Sequence, residues 1–411
     1  MKVKPARKEP MRSRRPGRRS PPPPAILHGP DETLDGVHIL DEMRNGVGVL
    51  LWQSLHDVLL WASVPPGERA ELFRPESVRR RLAALVALAP DPALEAALTS
   101  LAALSREPDT ARPESVSAVC MQVARWAEGR GSLATALAFA QGAAIAAPKE
   151  AAPGLLAGRL ARKLGERARA ETWLRRTIVL GRRSGDRTTL FQACLVLAEM
   201  QGERGDREGA RTLFLRAFRG GRRSGFRDIK GQALHGLFRL AAAEGSLEEA
   251  DAYARSALHA YGRRNPRVPQ VAREVGTFWL EREEYADALS ALRLVVPFAR
   301  HPAERLEALA AVARAAAGAG SDEVFDAASR EAMQLIRRIP PEELRPRPLL
   351  DLARGGAALQ RWESAERAAR LALDAARRDG EPPVILLAEE VLARARSRTG
   401  APRKQGKPAA V

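Results

Sequence analysis

The chain has 411 residues and a net charge of +17, and 45% of its residues are hydrophobic. Its two cysteines, Cys120 and Cys194, are too few for a disulfide framework and fit the pattern of small core residues, which favours a reducing cytoplasm. The basic N-terminus continues into prolines instead of an apolar signal core, and no run of 18 apolar residues exists. Neither secretion nor a membrane span is therefore expected.

Most of the positive charge lies at the two ends of the chain. Residues 1–20 carry nine Lys or Arg and one Glu, a net charge of +8, and residues 394–411 carry +6. Residues 21–393 are left with +3. We predict disordered basic tails at 1–30, which is also proline-rich, and at 398–411. Each tail is a candidate for binding an anionic partner such as nucleic acid, and a purely solubilising role is the alternative.

Residues 31–110 are predicted to form an N-terminal helical region. Asp35 is a candidate cap for one long helix that ends at Ser63. Residues 46–62 of this helix are apolar on nearly every side, which predicts burial in the core. Self-association through the same stretch is the alternative, because large aromatic residues dominate interfaces as well as cores.

Three further features belong to this region. Trp52 and Trp61 are the expected anchors of the apolar helix. A second helix is predicted from Pro75 to about Pro90, and a third begins after it with an aspartate cap and a first-turn proline, at residues 91 and 92. One interpretation of the region is a degenerate repeat that caps the array that follows.

A small residue recurs at nearly constant spacing through the middle of the chain. The series runs Ala136, Ala170, Ala210, Ala250, Ala288, Ala328 and Ala365, at intervals of 34 to 40 residues. This period is typical of stacked helical hairpins. In the third unit, Gly205 is predicted to break the chain, Asp206 to cap the second helix, and Gly220 and Gly221 to end it.

The units share positions other than this anchor alanine. A glycine stands five residues before the anchor in four units, and Glu283 and Gln360 replace it in two later ones. A small residue stands twelve before the anchor in five units, so the paired helices are expected to approach closely. The unit around Ala328 aligns only with an insertion.

This pattern resembles the tetratricopeptide repeat family, with about seven repeats over residues 115–381. The aromatic residues or leucines before the anchor and the closing prolines are Leu133, Leu247, Tyr285, Phe325, Trp362, Pro148 and Pro340. The resemblance implies an all-α fold, a right-handed superhelical solenoid of antiparallel helix pairs over residues 111–381, with a capping helix at 382–397. An Ala- and Leu-rich composition favours helix independently. Most units run past the family's period of 34 residues.

In that family the first helix of each unit lines a concave groove, which usually binds an extended peptide. Eleven residues before the anchor, four of the six units that align without a gap carry Arg, and Gln, His or Arg stand at fifteen or eighteen before it. The candidate groove residues are Arg125, Arg159, Gln192, Gln232, His235, Arg239, Gln270, Arg273 and Arg354. These side chains suit carboxylates and backbone amides, so the predicted ligand is a protein or peptide, with an acidic segment as the specific candidate. A solvated helix face in an Arg-rich protein is the alternative.

The sequence contains no recognisable catalytic or metal-binding motif. It has no phosphate-binding glycine loop, and none of its six His pairs with a second His or a Cys at metal-ligand spacing. We predict a non-enzymatic, cytoplasmic scaffold or adaptor for protein–protein interaction, with no cofactor, metal or catalytic residue. The alternative is a nucleic-acid-associated or ligand-sensing regulator that uses its basic tails. Arg supplies 59 of the 67 cationic residues, which indicates a GC-rich bacterial source.

Overall fold

The computed structural model describes residues 36–88, 90–262 and 264–399, and every regular element within these ranges is helical, as predicted. The α-helices are α1 His38–Glu42, α2 Gly46–Ser63, α3 Pro75–Leu88, α4 Pro92–Leu104, α5 Pro113–Gly129, α6 Leu133–Ala146, α7 Ala152–Lys163, α8 Arg167–Ser184, α9 Arg187–Glu203, α10 Arg207–Ser224, α11 Arg227–Glu244, α12 Leu247–Tyr261, α13 Val268–Glu281, α14 Tyr285–Leu292, α15 Pro302–Gly318, α16 Asp322–Ile336, α17 Pro346–Ala358, α18 Trp362–Asp379 and α19 Pro382–Thr399. The tail predicted at 1–30, the candidate cap Asp35 and residues 400–411 lie outside the described residues.

The chain forms two compact units, one up to Ile229 and one from Lys230. The boundary falls in the first turn of α11, in the middle of the repeat series. The first unit holds the N-terminal region and three repeats. The second unit holds four repeats and α19.

The predicted long helix ending at Ser63 is wrong, because the chain forms two helices there, α1 and α2. Between them Asn45 is extended, and its side-chain oxygen accepts a hydrogen bond from the Gly48 amide at 3.1 Å. This is an N-terminal cap, and it starts α2 afresh. A Cβ on Gly48 would collide with the carbonyl oxygen of Met43, so the tight return of the chain depends on glycine at this point.

Helix α2 is a core helix of the first unit, which agrees with the prediction from its apolar composition. Leu51, Leu55 and Val58 are fully buried, and α2 packs against α3, α4 and α6. Trp61 is 1% exposed, and its indole N–H donates to the Pro108 carbonyl at 2.7 Å. Trp52 is only half-buried. Val49 is 44% exposed, so part of the apolar surface of α2 stays uncovered, and self-association through residues 46–62 stays a prediction.

Helices α3 and α4 follow the predicted boundaries closely. Asp91 caps α4, accepting a hydrogen bond from the Ala93 amide at 2.9 Å, and Pro92 stands in the first turn, where its missing N–H costs nothing. The repeats then begin with α5 at Pro113.

The turn between the paired helices is the most regular feature of the repeats. The residue before the second helix's cap has a positive φ in all seven, between 57° and 87°: Gly131, Gly165, Gly205, Gly245, Glu283, Gly320 and Gln360. The next amide donates back across the turn to the fifth residue before it, as in Asp206 to Gln201 at 2.9 Å. This is the Schellman ending of a helix, and its recurrence confirms the repeat frame.

The sixth repeat has a different anchor from the one predicted. In the other six repeats the anchor alanine is the fourth residue of the second helix, and its amide donates to the capping residue. In α16 that position is Phe325, whose amide donates to Ser321 at 3.0 Å, five residues after Gly320. Ala328 as anchor is therefore wrong, and so is the insertion that it required. With Phe325 as anchor, the small residue twelve before it is Ala313, which is fully buried.

Helix α10 does not end at Gly220 and Gly221, as predicted, but runs on to Ser224, and Gly225 (φ 72°) ends it. Gly220 serves packing instead, because a Cβ there would collide with the ring of Phe191 in α9. Asp206 caps α10 as predicted and accepts from the Gly209 amide at 2.9 Å.

The second unit is built from helix pairs that pack in chain order, with α13 on α14, α15 on α16 and α17 on α18. The last helix, α19, packs on α18 and α17 and covers the end of this stack. It extends to Thr399, two residues past the predicted end at 397, so the start of the predicted tail 398–411 is helical.

Candidate functional site

The first helices of the last three repeats, α13, α15 and α17, line a cleft of about 460 Å³ in the second unit. Its polar lining includes Arg273 and Thr277 from α13, Glu307 from α15, and Arg347 and Asp351 from α17. These residues stand 11, 14, 15 or 18 positions before their repeat anchors. Of the nine predicted groove residues, Arg273 lies in this cleft, and the groove as a whole stays a prediction.

The floor of the cleft is apolar. Leu292 and Val295 are buried there, and Ala308, Ala311 and two prolines of α17 complete it. The rim carries as many carboxylates as guanidinium groups, because Arg345 and Glu381 join the residues above. A mixed rim over an apolar floor is the usual composition of a site for small molecules or peptide side chains.

Arg273 is exposed on the rim and has no hydrogen-bond or ion-pair partner among the described residues. Arg347 is 83% exposed at its side chain and lies 3.6 Å from Glu381, a loose pair that an incoming carboxylate can replace. Glu307, on the opposite helix, also has no ion-pair partner within the described part of the chain.

Three predicted groove residues converge on a carboxylate that the sequence did not single out, Glu274 of α13. His235 Nε2 lies 2.9 Å from Glu274, Gln270 donates to it at 3.4 Å, and Arg239 lies at 3.9 Å. The hydrogen bond from His235 lowers the pKa of Glu274 below its usual range. This cluster joins α11 to α13, so His235 in particular is already engaged within the protein. Gln232 is half-buried one turn earlier in α11.

The corrected frame of the sixth repeat adds a residue to the arginine row. Arg314 stands eleven before Phe325, and its Nη1 donates to Asp351 of α17 at 2.9 Å. Burial raises the pKa of Asp351, against the opposing effect of Arg314. Arg314 and the predicted Arg354 line a smaller cleft of about 210 Å³ beside Glu283 and Tyr285.

The first unit carries three of the predicted groove residues. Arg125 in α5 and Arg159 in α7 are exposed and have no ion-pair partner among the described residues, and Gln192 in α9 is half-buried. At the same position of the third repeat, Glu199 accepts a hydrogen bond from Arg162 at 2.5 Å. Eleven residues before the anchor, the three repeats of this unit therefore carry two guanidinium groups without an ion-pair partner, Arg125 and Arg159, and one carboxylate that is paired with an arginine, Glu199.

Two features of the described residues bear on metal binding and thiol reactivity. No group of three or more His, Cys, Asp or Glu side chains among them is placed to hold a metal ion. Burial raises the pKa of the Cys120 thiol to about 12 and also raises that of Cys194, so neither is a ready nucleophile. No helix in the described ranges has the length and apolar character needed to cross a bilayer.

All seven described helix pairs have the Schellman turn, six have an alanine anchor, and six have a small residue twelve positions before the anchor. The chain is an all-α array of helix pairs with a tetratricopeptide-like fold. No family model and no curated protein matches this sequence.

Among solved structures, the tetratricopeptide-like chain is similar to PilF of Pseudomonas aeruginosa, with 15% identity, a TM-score of 0.44, and coverage of 61% of this chain and 98% of that one. It is also similar to the Rap conjugation gene regulator of plasmid pLS20 in complex with the Phr* peptide (14% identity, TM-score 0.41, 84% and 95% covered). A third similar structure is the TPR2AB domain of yeast Sti1 in complex with pHSP90, with 16% identity, a TM-score of 0.27, and coverage of 69% of this chain and 99% of that one. Likenesses of this size concern the arrangement of helix pairs and indicate nothing about individual residues.

Proposed function

We propose that this protein is a non-enzymatic interaction scaffold and that the cleft between α13, α15 and α17 binds an extended segment of a partner protein. The cleft carries the proposal, because it combines an apolar floor with guanidinium groups that have no strong internal partner. An apolar side chain of the partner would rest on Ala308 and Ala311. Its flanking carboxylates or backbone carbonyls would accept hydrogen bonds from Arg273 and Arg347.

An acidic segment fits the proposal better than a basic one. Of the rim carboxylates, Asp351 is engaged by Arg314 and Glu381 lies beside Arg347, which leaves Glu307 free as well as Arg273. In the first unit, Arg125 and Arg159 offer two further free guanidinium groups on the first helices of consecutive repeats. Uncompensated positive charge on the inner helices favours carboxylates.

The proposal is tested by capturing partners from a lysate with the full-length chain and then measuring the affinity of each captured partner segment. The variant Arg273→Glu/Arg347→Glu reverses two rim charges and should weaken binding at least tenfold. Ala311→Trp fills the cleft floor and should also abolish binding. Both changes lie at partly or fully exposed positions, so helix content and melting temperature should hold.

Matched controls exist on other helix faces. Arg330 in α16 is exposed and has no ion-pair partner among the described residues, so Arg330→Glu tests charge reversal outside the cleft. Ala168 in α8 is exposed, so Ala168→Trp shows the effect of adding an indole group outside the cleft and serves as the control for Ala311→Trp. If both cleft variants bind every captured segment as tightly as the two controls do, the cleft is not the binding site.

A further inference from the structure

The near neutrality of residues 21–393 conceals a strong separation of charge. Residues 159–230 carry 19 Lys or Arg and eight Asp or Glu, a net charge of +11. The rest of residues 21–393 therefore carries −8. The positive part coincides with the second and third repeats, α7 to α10 and the start of α11. This part of the folded chain thus carries a larger net positive charge than either end.

Part of this charge lies in a duplicated motif, Gly-Arg-Arg-Ser-Gly, which ends α8 at residues 181–185 and α10 at residues 221–225. The glycines of the motif are needed for close packing and for ending the helices. A Cβ on Gly181 would lie 2.9 Å from the carbonyl oxygen of Asp186, and Gly185 and Gly225 end their helices at φ 78° and 72°.

The arginines at these helix ends form an exposed surface, which we call the basic ridge: Arg182, Arg216, Arg219, Arg222 and Arg223. Arg216, Arg219 and Arg223 stand at i, i+3 and i+7 and so share one face of α10. None of the five has a carboxylate within ion-pair distance among the described residues, and all but the half-buried Arg216 are exposed. The guanidinium of Arg222 lies over the ring of Phe218, 5.7 Å from its centroid.

The basic ridge includes residues from the C-terminal ends of both α8 and α10. Burial raises the pKa of Cys194 in α9, while the nearby charges of Arg216 and Arg182 act to lower it. Both guanidinium groups therefore lie near the same point of α9, one from α10 and one from α8. Arg182 of α8 therefore lies near the arginine-bearing face of α10.

A cation in the last turn of a helix also interacts favourably with the helix dipole, which is the simplest reason for an arginine pair. The seventh repeat has the same pair at the same position, but neutralises it. Arg377 donates to Glu389 at 3.0 Å, and Arg378 donates to Asp379 at 2.7 Å and to the Leu344 carbonyl at 2.7 Å. The dipole accounts for an arginine pair at a helix end, but it does not explain why Arg182, Arg222 and Arg223 have no carboxylate partner among the described residues.

We propose that the basic ridge binds the phosphate backbone of double-stranded DNA without reading base sequence. Guanidinium groups match phosphate oxygens as paired donors, and a run of them on one surface provides affinity that depends on counterion release. No exposed aromatic platform interrupts the ridge, which argues against stacking on single strands. Arginine has no acceptor for a ribose 2′-hydroxyl, so nothing here selects RNA.

The test is fluorescence anisotropy of the full-length chain with a labelled, mixed-sequence DNA duplex of roughly 20 base pairs at several salt concentrations. The full chain should bind, with affinity that falls steeply as salt rises. The variant Arg182→Gln/Arg219→Gln/Arg222→Gln/Arg223→Gln should bind at least tenfold more weakly at about 100 mM salt, and its log–log salt slope should be smaller by about 3 to 4.

The matched control removes four exposed arginines of the second unit that also have no partner among the described residues, as Arg300→Gln/Arg330→Gln/Arg337→Gln/Arg338→Gln. It changes the net charge equally and should leave binding within about threefold of the original. Equal losses in both variants would show a mere net-charge effect, and unchanged binding in the ridge variant would assign affinity to the tails. Tighter binding of an RNA duplex or of poly-glutamate would likewise overturn the proposal. Circular dichroism of each variant checks that the helices are intact.

Discussion

Phe325 of the sixth repeat packs against Gly355 of the seventh, where a Cβ on the glycine would lie 3.0 Å from the Phe325 ring. The other six anchors are alanines, and the residue in the next repeat that corresponds to Gly355 is larger in each case where one follows, for example Leu160 or Met200. A large anchor and a missing side chain thus compensate each other across two repeats. Phe325 is 1% exposed, so its ring fills the space beside Gly355 and is itself buried in the core.

This compensation predicts strong coupling between the two positions. Gly355→Ala alone should destabilise the second unit by about 1–3 kcal/mol, because the new methyl group has no room beside the ring. Phe325→Ala alone should cost about 3–5 kcal/mol through the cavity it leaves. In the Phe325→Ala background, Gly355→Ala should cost less, because the ring is gone and alanine favours helix, although the Ala313 carbonyl oxygen still lies 3.3 Å from the added Cβ. Urea unfolding of the four proteins measures the cycle, and additive costs would show that the residues do not pack as described.

The turn residues with positive φ give a second prediction. Glu283 and Gln360 adopt φ 61° and 57°, where a side chain costs about 1–2 kcal/mol relative to glycine. Glu283→Gly and Gln360→Gly should each stabilise the protein by up to about 1 kcal/mol. Gly205→Ala should cost about 1 kcal/mol, although a Cβ there meets nothing within 4 Å. Thermal melts check the signs, and a loss of stability in both glycine variants would contradict the turn assignment.

The repeat architecture could be predicted because each repeat has its own small residues and turn glycines. The frame failed only where a phenylalanine replaced the alanine, since the size of Phe325 is explained by Gly355, thirty residues away. Arg314 was missed for the same reason. Glu274 was missed because its hydrogen-bond partner, His235, lies on another helix, and the sequence alone does not show which residues of two helices meet. The break at Asn45 was hidden by the apolar stretch after it, which reads as one continuous helix with the residues before it.

A contact across 92 residues gives a third prediction, because Glu42 of α1 caps α6. Its carboxylate accepts from the amides of Ala134 at 2.9 Å and Thr135 at 2.8 Å, and from the Thr135 hydroxyl at 2.6 Å. Ser132, the residue in the local capping position, makes no side-chain capping bond. Glu42→Ala should therefore cost about 2 kcal/mol and Glu42→Gln about 1 kcal/mol, whereas Ser132→Ala should be nearly neutral. Chemical denaturation distinguishes these, and a larger cost for Ser132→Ala would refute the assignment.

The Glu274 cluster predicts a pH dependence of stability. The hydrogen bond from His235 lowers the pKa of Glu274 in the folded protein, so the unfolded chain binds the proton more readily. The resulting stabilisation is complete above the unfolded-state pKa of about 4.3 and is lost as the pH falls through the lower folded value. Because the Glu274 side chain is 35% exposed, solvent screening limits the effect to below about 1 kcal/mol.

Glu274→Gln should remove this dependence. The difference in unfolding free energy between the original protein and the variant should be largest near pH 6 and should shrink towards zero as the medium is acidified below about pH 4. Glu307→Gln is the control, since Glu307 lies on the neighbouring helix α15 and has no ion-pair partner among the described residues. Urea titrations at several pH values give the comparison. If the Glu274→Gln difference grows on acidification, the folded protein favours the protonated carboxyl group, and the description of Glu274 as a carboxylate that accepts a hydrogen bond from His235 is wrong.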